Sequence, residues 1–212
     1  MALKLRTVLA MVLVFSFLVS SDVLAGNKAK KNNASPEISQ QVKNDLIQLR
    51  EEEKLARDVY LYLYTEWDQW IFSNIAQSEQ QHMDAVKGLL DKYQIDDPVD
   101  PDIQGQFADE DLQDLYDDLI AVGSVSREDA LYVGATIEDL DIFDIYEMID
   151  HATGFEDVTI VYENLSKGSR NHLRSFVGQL VLFDEDYVYY AQYLEQYQVN
   201  EIIADPMETG SL

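Results

Sequence analysis

Apolar residues recur every three or four positions over four long stretches of the chain, the spacing of helices that bury one face. From about 39 to 66, Leu46, Leu49, Ala56, Tyr60 and Leu63 fall on one side. Asp68 is placed to cap a second helix of about 69–93, with Phe72, Ile75, Val86 and Leu90 on its stripe. The few residues between the two require them to pack antiparallel. Pro98, Pro101, Gly105 and Gly123 then break the pattern over 94–125 around one short amphipathic piece, Leu112, Leu115, Tyr116 and Leu119. Ser126, followed by Arg127-Glu128-Asp129, reads as the N-cap of a third helix that continues through Leu131, Gly134, Ile142, Ile145 and Ile149 to about 150. A fourth helix, about 156–182, turns Val158, Val161, Leu165, Phe176 and Leu180 inward, with Gly168 as a candidate bend. The expected fold is all-α: a four-helix bundle over 39–182 whose long crossover, holding a short extra helix, joins helices 2 and 3. The remainder, 183–212, carries Tyr187, Tyr189, Tyr190, Tyr193 and Tyr197 and is expected to pack across the bundle.

Each long stripe is interrupted near its middle by polar residues. Glu53 stands between Leu49 and Ala56 where an apolar residue belongs, although a phase error of one residue is easy among Glu51, Glu52 and Glu53. Glu79 and His82 form an E-x-x-H pair on the second stripe, one turn apart on one face, a spacing that lets two side chains bind one ion. Glu138 and Asp141 sit between Gly134 and Ile145, and Ser169 and His172 between Leu165 and Phe176. Of the three histidines, only His151 lies off these stripes, where it suits a helix C-terminus. Converging carboxylates and imidazoles in a core need compensation for lost hydration, and a di- or trivalent cation supplies it. A set of oxygen and imidazole donors suits iron or manganese better than copper or zinc.

Composition narrows the chemistry. No cysteine is present, which rules out disulfides, thiolate metal sites and a cysteine nucleophile. The 15 basic and 40 acidic residues leave a net charge of −25, so nucleic acid and anionic membranes are repelled. Lys4 and Arg6 precede an apolar run over 8–19, and Val23-Leu24-Ala25 offers a small-residue cleavage site. Residues 1–25 are accordingly expected to be a signal peptide cleaved after Ala25, giving a secreted or periplasmic protein. The apolar run is shorter than the roughly 20 residues of a membrane span. Residues 26–38, polar and locally basic, are expected to form a flexible arm.

Five segments, EEEKLARDVY (51–60), FSNIAQSEQQHM (72–83), DLQDLYDDL (111–119), ALYVGATIEDLDIFDI (130–145) and ENLSKGSRNHLRSF (163–176), resemble the DUF2202 family, a ferritin-like family of uncharacterised function. Ferritin-like di-iron proteins such as rubrerythrins draw one Glu from the first helix, E-x-x-H from the second, one or two acids from the third and E-x-x-H from the fourth. The resemblance implies Glu53, Glu79, His82, Glu138, Asp141 and His172 as ligands of two ions, iron first and manganese second. The chain departs from the pattern where Ser169 replaces a bridging Glu, so that Asp141 or Glu52 would have to substitute.

Three functions follow. The first is an oxidoreductase acting on Fe(II), dioxygen or peroxide, fed by an external electron donor, with Tyr60 as a nearby redox or hydrogen-bonding group. The second is a non-catalytic module that sequesters metal. The third is a metal-free structural or partner-binding bundle in which Arg57, Arg170 or Arg174 neutralises the inward acids. Assembly into an oligomer is left open.

Overall fold

A computed structural model of the chain describes residues 37–210; the expected signal peptide and most of the expected arm lie outside the described residues. The long helices are α1 (Gln40–Trp67), α2 (Trp70–Tyr93), α4 (Arg127–His151) and α5 (Glu156–Phe183). Two shorter ones are α3 (Glu110–Gly123) in the crossover and α6 (Gln196–Ala204) in the tail. The fold is an all-α four-helix bundle, with α3 inside the long connection between its second and third long helices.

Local chemistry explains the boundaries. The Ser39 hydroxyl accepts from the Val42 N–H and starts α1. Asp68 closes α1 rather than opening α2: it takes a left-handed conformation at φ 50°, and its N–H donates to the Tyr64 carbonyl. Gln69 is the residue that precedes α2. With only Asp68 and Gln69 between them, α1 and α2 must fold back on each other. Ser126 caps α4 through the Asp129 N–H, as its sequence setting suggested. The α4–α5 link turns through Gly154 at φ +94°, a conformation that disfavours a side chain.

The crossover is held by the outward side of α1. Buried Arg50 pairs with Asp97 at 3.0 Å and donates to the Met83 carbonyl. Lys54, fully buried, pairs with Asp58 at 2.5 Å and donates to the carbonyls of Ile103 and Gln106. Asp58 accepts from the Gly105 N–H, and Glu51 from the Ala108 N–H. These contacts explain why the charged run at 50–58 is buried on every side of α1 and not along its stripe alone.

The tail is tied to α4. Asp139, with no exposed surface, accepts from the Tyr189 hydroxyl and from the N–H groups of Gln192, Tyr193 and Leu194. Of the tail tyrosines, Tyr189 is buried, whereas Tyr190 and Tyr197 are more than half exposed. Helix α6, which the sequence pattern did not reveal, starts with a capping box of Glu195 and Gln198.

Inside the bundle one end is apolar, built from Leu46, Leu49, Val86, Leu90, Ile145, Val158 and Leu165. Toward the other end Tyr60, Phe72 and Phe176 stack together, with centroids 5.2 to 6.3 Å apart. A polar layer lies between the two. Among the described residues, no helix is long and apolar enough to cross a membrane.

Candidate metal centre

The stripe interruptions meet in that layer. Glu53 and Glu138 are each 1% exposed, Glu79 also 1%, and His82, Asp141 and His172 are buried at the layer's edge. Two groups of potential ligand atoms lie mutually within 4.8 Å: Glu53, Glu79 and His82 form one, and Glu79, Glu138 and His172 the other. Glu79 belongs to both. Its Oε2 is 2.8 Å from His82 Nδ1 and its Oε1 is 2.8 Å from His172 Nδ1. Glu53 Oε2 completes the first side at 3.2 Å from His82 Nδ1, and Glu138 Oε2 the second at 3.3 Å from His172 Nδ1. The imidazoles stack 5.6 Å apart across this shared carboxylate.

Neighbouring groups fix these side chains. The Tyr60 hydroxyl donates to Glu138 Oε1 at 2.5 Å, the hydrogen-bonding role that its position two turns beyond Glu53 on the α1 stripe allowed. His172 Nε2 is 3.0 Å from the Ser78 hydroxyl, which leaves Nδ1 facing the acids. Ser78 escaped sequence reading because nothing distinguishes it from the other polar residues of α2. His82 instead turns Nε2 toward the α5 backbone at Gly168, where an added Cβ would stand 2.6 Å away. Gly168 is thus a place of close approach between His82 and α5.

Asp141 lies beside the two groups and belongs to neither. Its carboxylate is hydrogen-bonded to the Ser169 hydroxyl, so α4 sends an acid to the position on α5 where a bridging Glu is missing. Glu52 does not enter the layer as a substitute: one of its oxygens is held by Gln48 on the same helix.

Burial and mutual charge set the protonation of the layer. Burial raises the Glu53 carboxyl to about 8 against the pull of His82. Burial, then the charges of Glu53 and Glu138, push Asp141 well above the ordinary carboxylate range. Burial opposes a charge on Glu79 too, yet the two histidines outweigh it and hold Glu79 well below that range. For His172, burial is outweighed by Glu79 and Glu138, which raise it to about 10. Protons therefore supply the positive charge that holds these acids together. The arginines are committed elsewhere, Arg57 to Asp58 and Gln80, and Arg170 and Arg174 to Glu208. Among the described residues, no ion pair joins a lysine or arginine to the six.

The residues present fit a cation. Glu53 Oε1, Glu79 Oε1 and His172 Nδ1 are buried without a hydrogen-bond partner, although the last two are 2.8 Å apart. Close approach without hydrogen-bond alignment is the geometry of donor atoms converging on a common point.

Two predictions arise here. The first concerns pH. A histidine raised in the folded state contributes stability fully below its unfolded value near 6.5 and loses it as pH rises through its folded value, about 10 for His172. Glu53, raised from 4.5 to about 8, acts in the same direction, since the folded state keeps a proton that the unfolded chain has released. Metal-free protein is therefore expected to lose stability between pH 6.5 and 10, by about 1.4 kcal/mol per pH unit for each extra proton held. Metal displaces those protons, so the gap between loaded and metal-free melting temperatures should widen over the same range. Melting curves with and without metal across that range provide the check, and parallel curves would contradict the proton set.

The second concerns Gly168. Alanine there improves helix propensity by up to about 1 kcal/mol, but its Cβ displaces the His82 ring. Gly168→Ala is expected to melt like the parent when metal-free and to bind metal roughly 10- to 100-fold more weakly, measured by competition with a chelator.

The family model described as an uncharacterized protein domain, DUF2202, matches residues 42–206. The uncharacterized protein MJ0754 of Methanocaldococcus jannaschii is 53% identical over 173 residues, which cover 82% of this chain and 92% of the relative. The crystal structure of that hypothetical protein superposes with a TM-score of 0.77 at 50% identity, covering 86% of this chain and all of the other.

Proposed function

We propose that this chain, which belongs to the DUF2202 family, is an exported protein that holds two metal ions, iron or manganese, side by side in the bundle core and uses them as an oxidoreductase. The observation that carries this reading is Glu79: one carboxylate set between two histidine–carboxylate pairs, with one oxygen turned to each imidazole. Glu53 and His82 would hold one ion and Glu138 and His172 the other, with Glu79 bridging. Asp141, restrained by Ser169, would supply the fourth carboxylate.

The chemistry such a pair supplies is two-electron exchange with dioxygen or peroxide, with Fe(II) or a small external donor as the electron source. The protein's part is positioning. Ser78 orients His172, and Tyr60 keeps a phenolic proton on Glu138. Tyr60, Phe72 and Phe176 close one side of the layer to water. The sequence supports export through Lys4, Arg6 and the apolar run before Ala25.

A second reading, passive metal sequestration, is favoured by one residue: Ser169 stands where a second bridging carboxylate would bring the ions together. Anaerobic loading with Fe(II), followed by dioxygen or peroxide, separates the two. Oxidation faster than in buffer, and lost in Glu79→Gln, is expected for the oxidoreductase. Bound Fe(II) that oxidises no faster than free Fe(II) would leave sequestration.

A further inference from the structure

Where α1 ends and α2 begins, aromatic rings lead from the candidate metal centre to the surface. Tyr60 stands at the inner end: its hydroxyl donates to Glu138 Oε1 at 2.5 Å, and its fully buried ring lies 6.3 Å from Phe72 and 5.2 Å from Phe176. Tyr64 follows one turn further along α1, at the four-residue spacing that makes side chains of one helix neighbours. The half-buried Tyr64 ring packs against Trp70, with centroids 5.9 Å apart. Trp70, the first residue of α2, is 69% exposed. An exposed tryptophan by itself needs no explanation, but this one is the outer end of a series whose inner end is hydrogen-bonded to a candidate ligand. The other tryptophan, Trp67, has a structural task, since its Nε1 donates to the Gly123 carbonyl at 2.8 Å.

Tyrosine and tryptophan side chains give up one electron to a strong oxidant, and a phenol does so more readily when a base beside it takes its proton. Tyr60 has that base in Glu138. We propose that Trp70, Tyr64 and Tyr60 form a one-electron route between the surface and the centre, with Trp70 as the point where an external cationic one-electron reductant delivers. The delivery rests on the oxidoreductase reading of the centre; the route rests on the rings alone. An electron given up by Tyr60 toward the centre leaves a neutral tyrosyl radical, and the phenolic proton moves to Glu138 Oε1. Trp70 replaces that electron across the Tyr64 ring, and the proton returns from Glu138 to Tyr60. The reductant then reduces the Trp70 radical cation, so one electron has crossed and no proton is gained or lost. Exposed Glu66 and Asp68, just before Trp70 in the chain, and the net charge of −25 favour a donor of positive charge.

The test of the route puts the oxidant at the surface of metal-free, full-length protein, so that electrons run outward along the same rings. Photo-excited tris(bipyridine)ruthenium, quenched irreversibly by a cobalt(III) ammine, removes one electron from Trp70, and electron paramagnetic resonance follows the radical. A tyrosyl radical at Tyr60 is expected, identified by its loss in Tyr60→Phe, over a background from exposed Tyr190 and Tyr197 common to all variants. Should Tyr60→Phe fail to fold, judged by circular dichroism, Tyr60→3-fluorotyrosine identifies the radical by its altered hyperfine pattern. Trp70→Phe and Tyr64→Phe, which keep a ring at each place, should each remove most of the Tyr60 signal. No Tyr60 radical in the parent, or an undiminished one in either variant, would overturn the route. The test of delivery uses protein loaded with Fe(II) and given peroxide in the presence of hexaammineruthenium(II). Trp70→Phe should oxidise this donor more slowly than the parent at the same iron content, and an unchanged rate would overturn delivery at Trp70. A parent that takes up no iron would reject the oxidoreductase reading and delivery with it, while the metal-free experiment still decides the route.

Discussion

Purified without chelator, the protein is expected to carry about two iron or manganese ions per chain in its centre, and a Glu79→Ala/His82→Ala variant to carry none there. Glu79 is shared by both ligand groups, so its loss removes a donor from each ion, and the loss of His82 leaves Glu53 without the imidazole it faces. The same substitutions remove the basis of metal-linked stability. A ligand present at about a thousand times its dissociation constant stabilises the fold by about 4 kcal/mol. In a domain of this size each kcal/mol shifts the melting temperature by about 2–4 °C. Stripping metal from the parent should therefore lower its melting temperature by roughly 10 °C, while the variant should not respond to chelator. Elemental mass spectrometry and paired melting curves measure both effects. A parent that binds no metal even after anaerobic Fe(II) loading would sink the two-ion reading and leave a structural bundle held by protons.

How far the centre could be read from the sequence depended on which residues answer to periodicity. Glu79, His82, Glu138 and His172 fall on stripes whose phase is set by apolar neighbours on both sides, and the structure gathers all four. Glu53 is a harder case because Glu51, Glu52 and Glu53 are all buried, each for a different reason. Glu51 accepts from the crossover, Glu52 accepts from Gln48 on its own helix, and Glu53 alone enters the centre. A helix covered on several sides has no polar face against which to fix its phase. The four long helices and the connectivity were legible for the same reason that Glu79 was, since three- and four-residue spacing survives any tertiary context. Contacts that join distant segments were not. The Arg50–Asp97 pair spans 47 residues, and the tail reaches Asp139 from 50 to 55 residues away. Asp68 misled because an aspartate after an apolar run resembles an N-cap, while its left-handed backbone makes it the end of α1.

The outward side of α1 carries the largest expected loss of stability. Asp58 has no exposed surface; its Oδ2 takes Lys54 Nζ at 2.5 Å and the Gly105 N–H at 2.9 Å, and its Oδ1 takes Arg57 at 2.7 Å. Asp58→Ala would leave the Lys54 ammonium in the interior with only the carbonyls of Ile103 and Gln106, which carry no compensating charge. Removing one partner of a buried ion pair costs about 3–5 kcal/mol, a large share of the 5–15 kcal/mol typical of a whole domain. Adding Lys54→Met should restore much of the loss, because the stranded charge then goes as well. Denaturant unfolding of the single and double variants measures this, and amide exchange should show the Asp58→Ala crossover opening first near Gly105, whose N–H loses its acceptor. The ligand groups gather on the opposite side of α1, so an Asp58→Ala chain that remains folded should still bind the same number of ions in the centre. A cost under about 1 kcal/mol would place Lys54 and Arg57 among residues that water or other acceptors can satisfy, and the crossover would then owe its position to Arg50, Asp97 and Glu51.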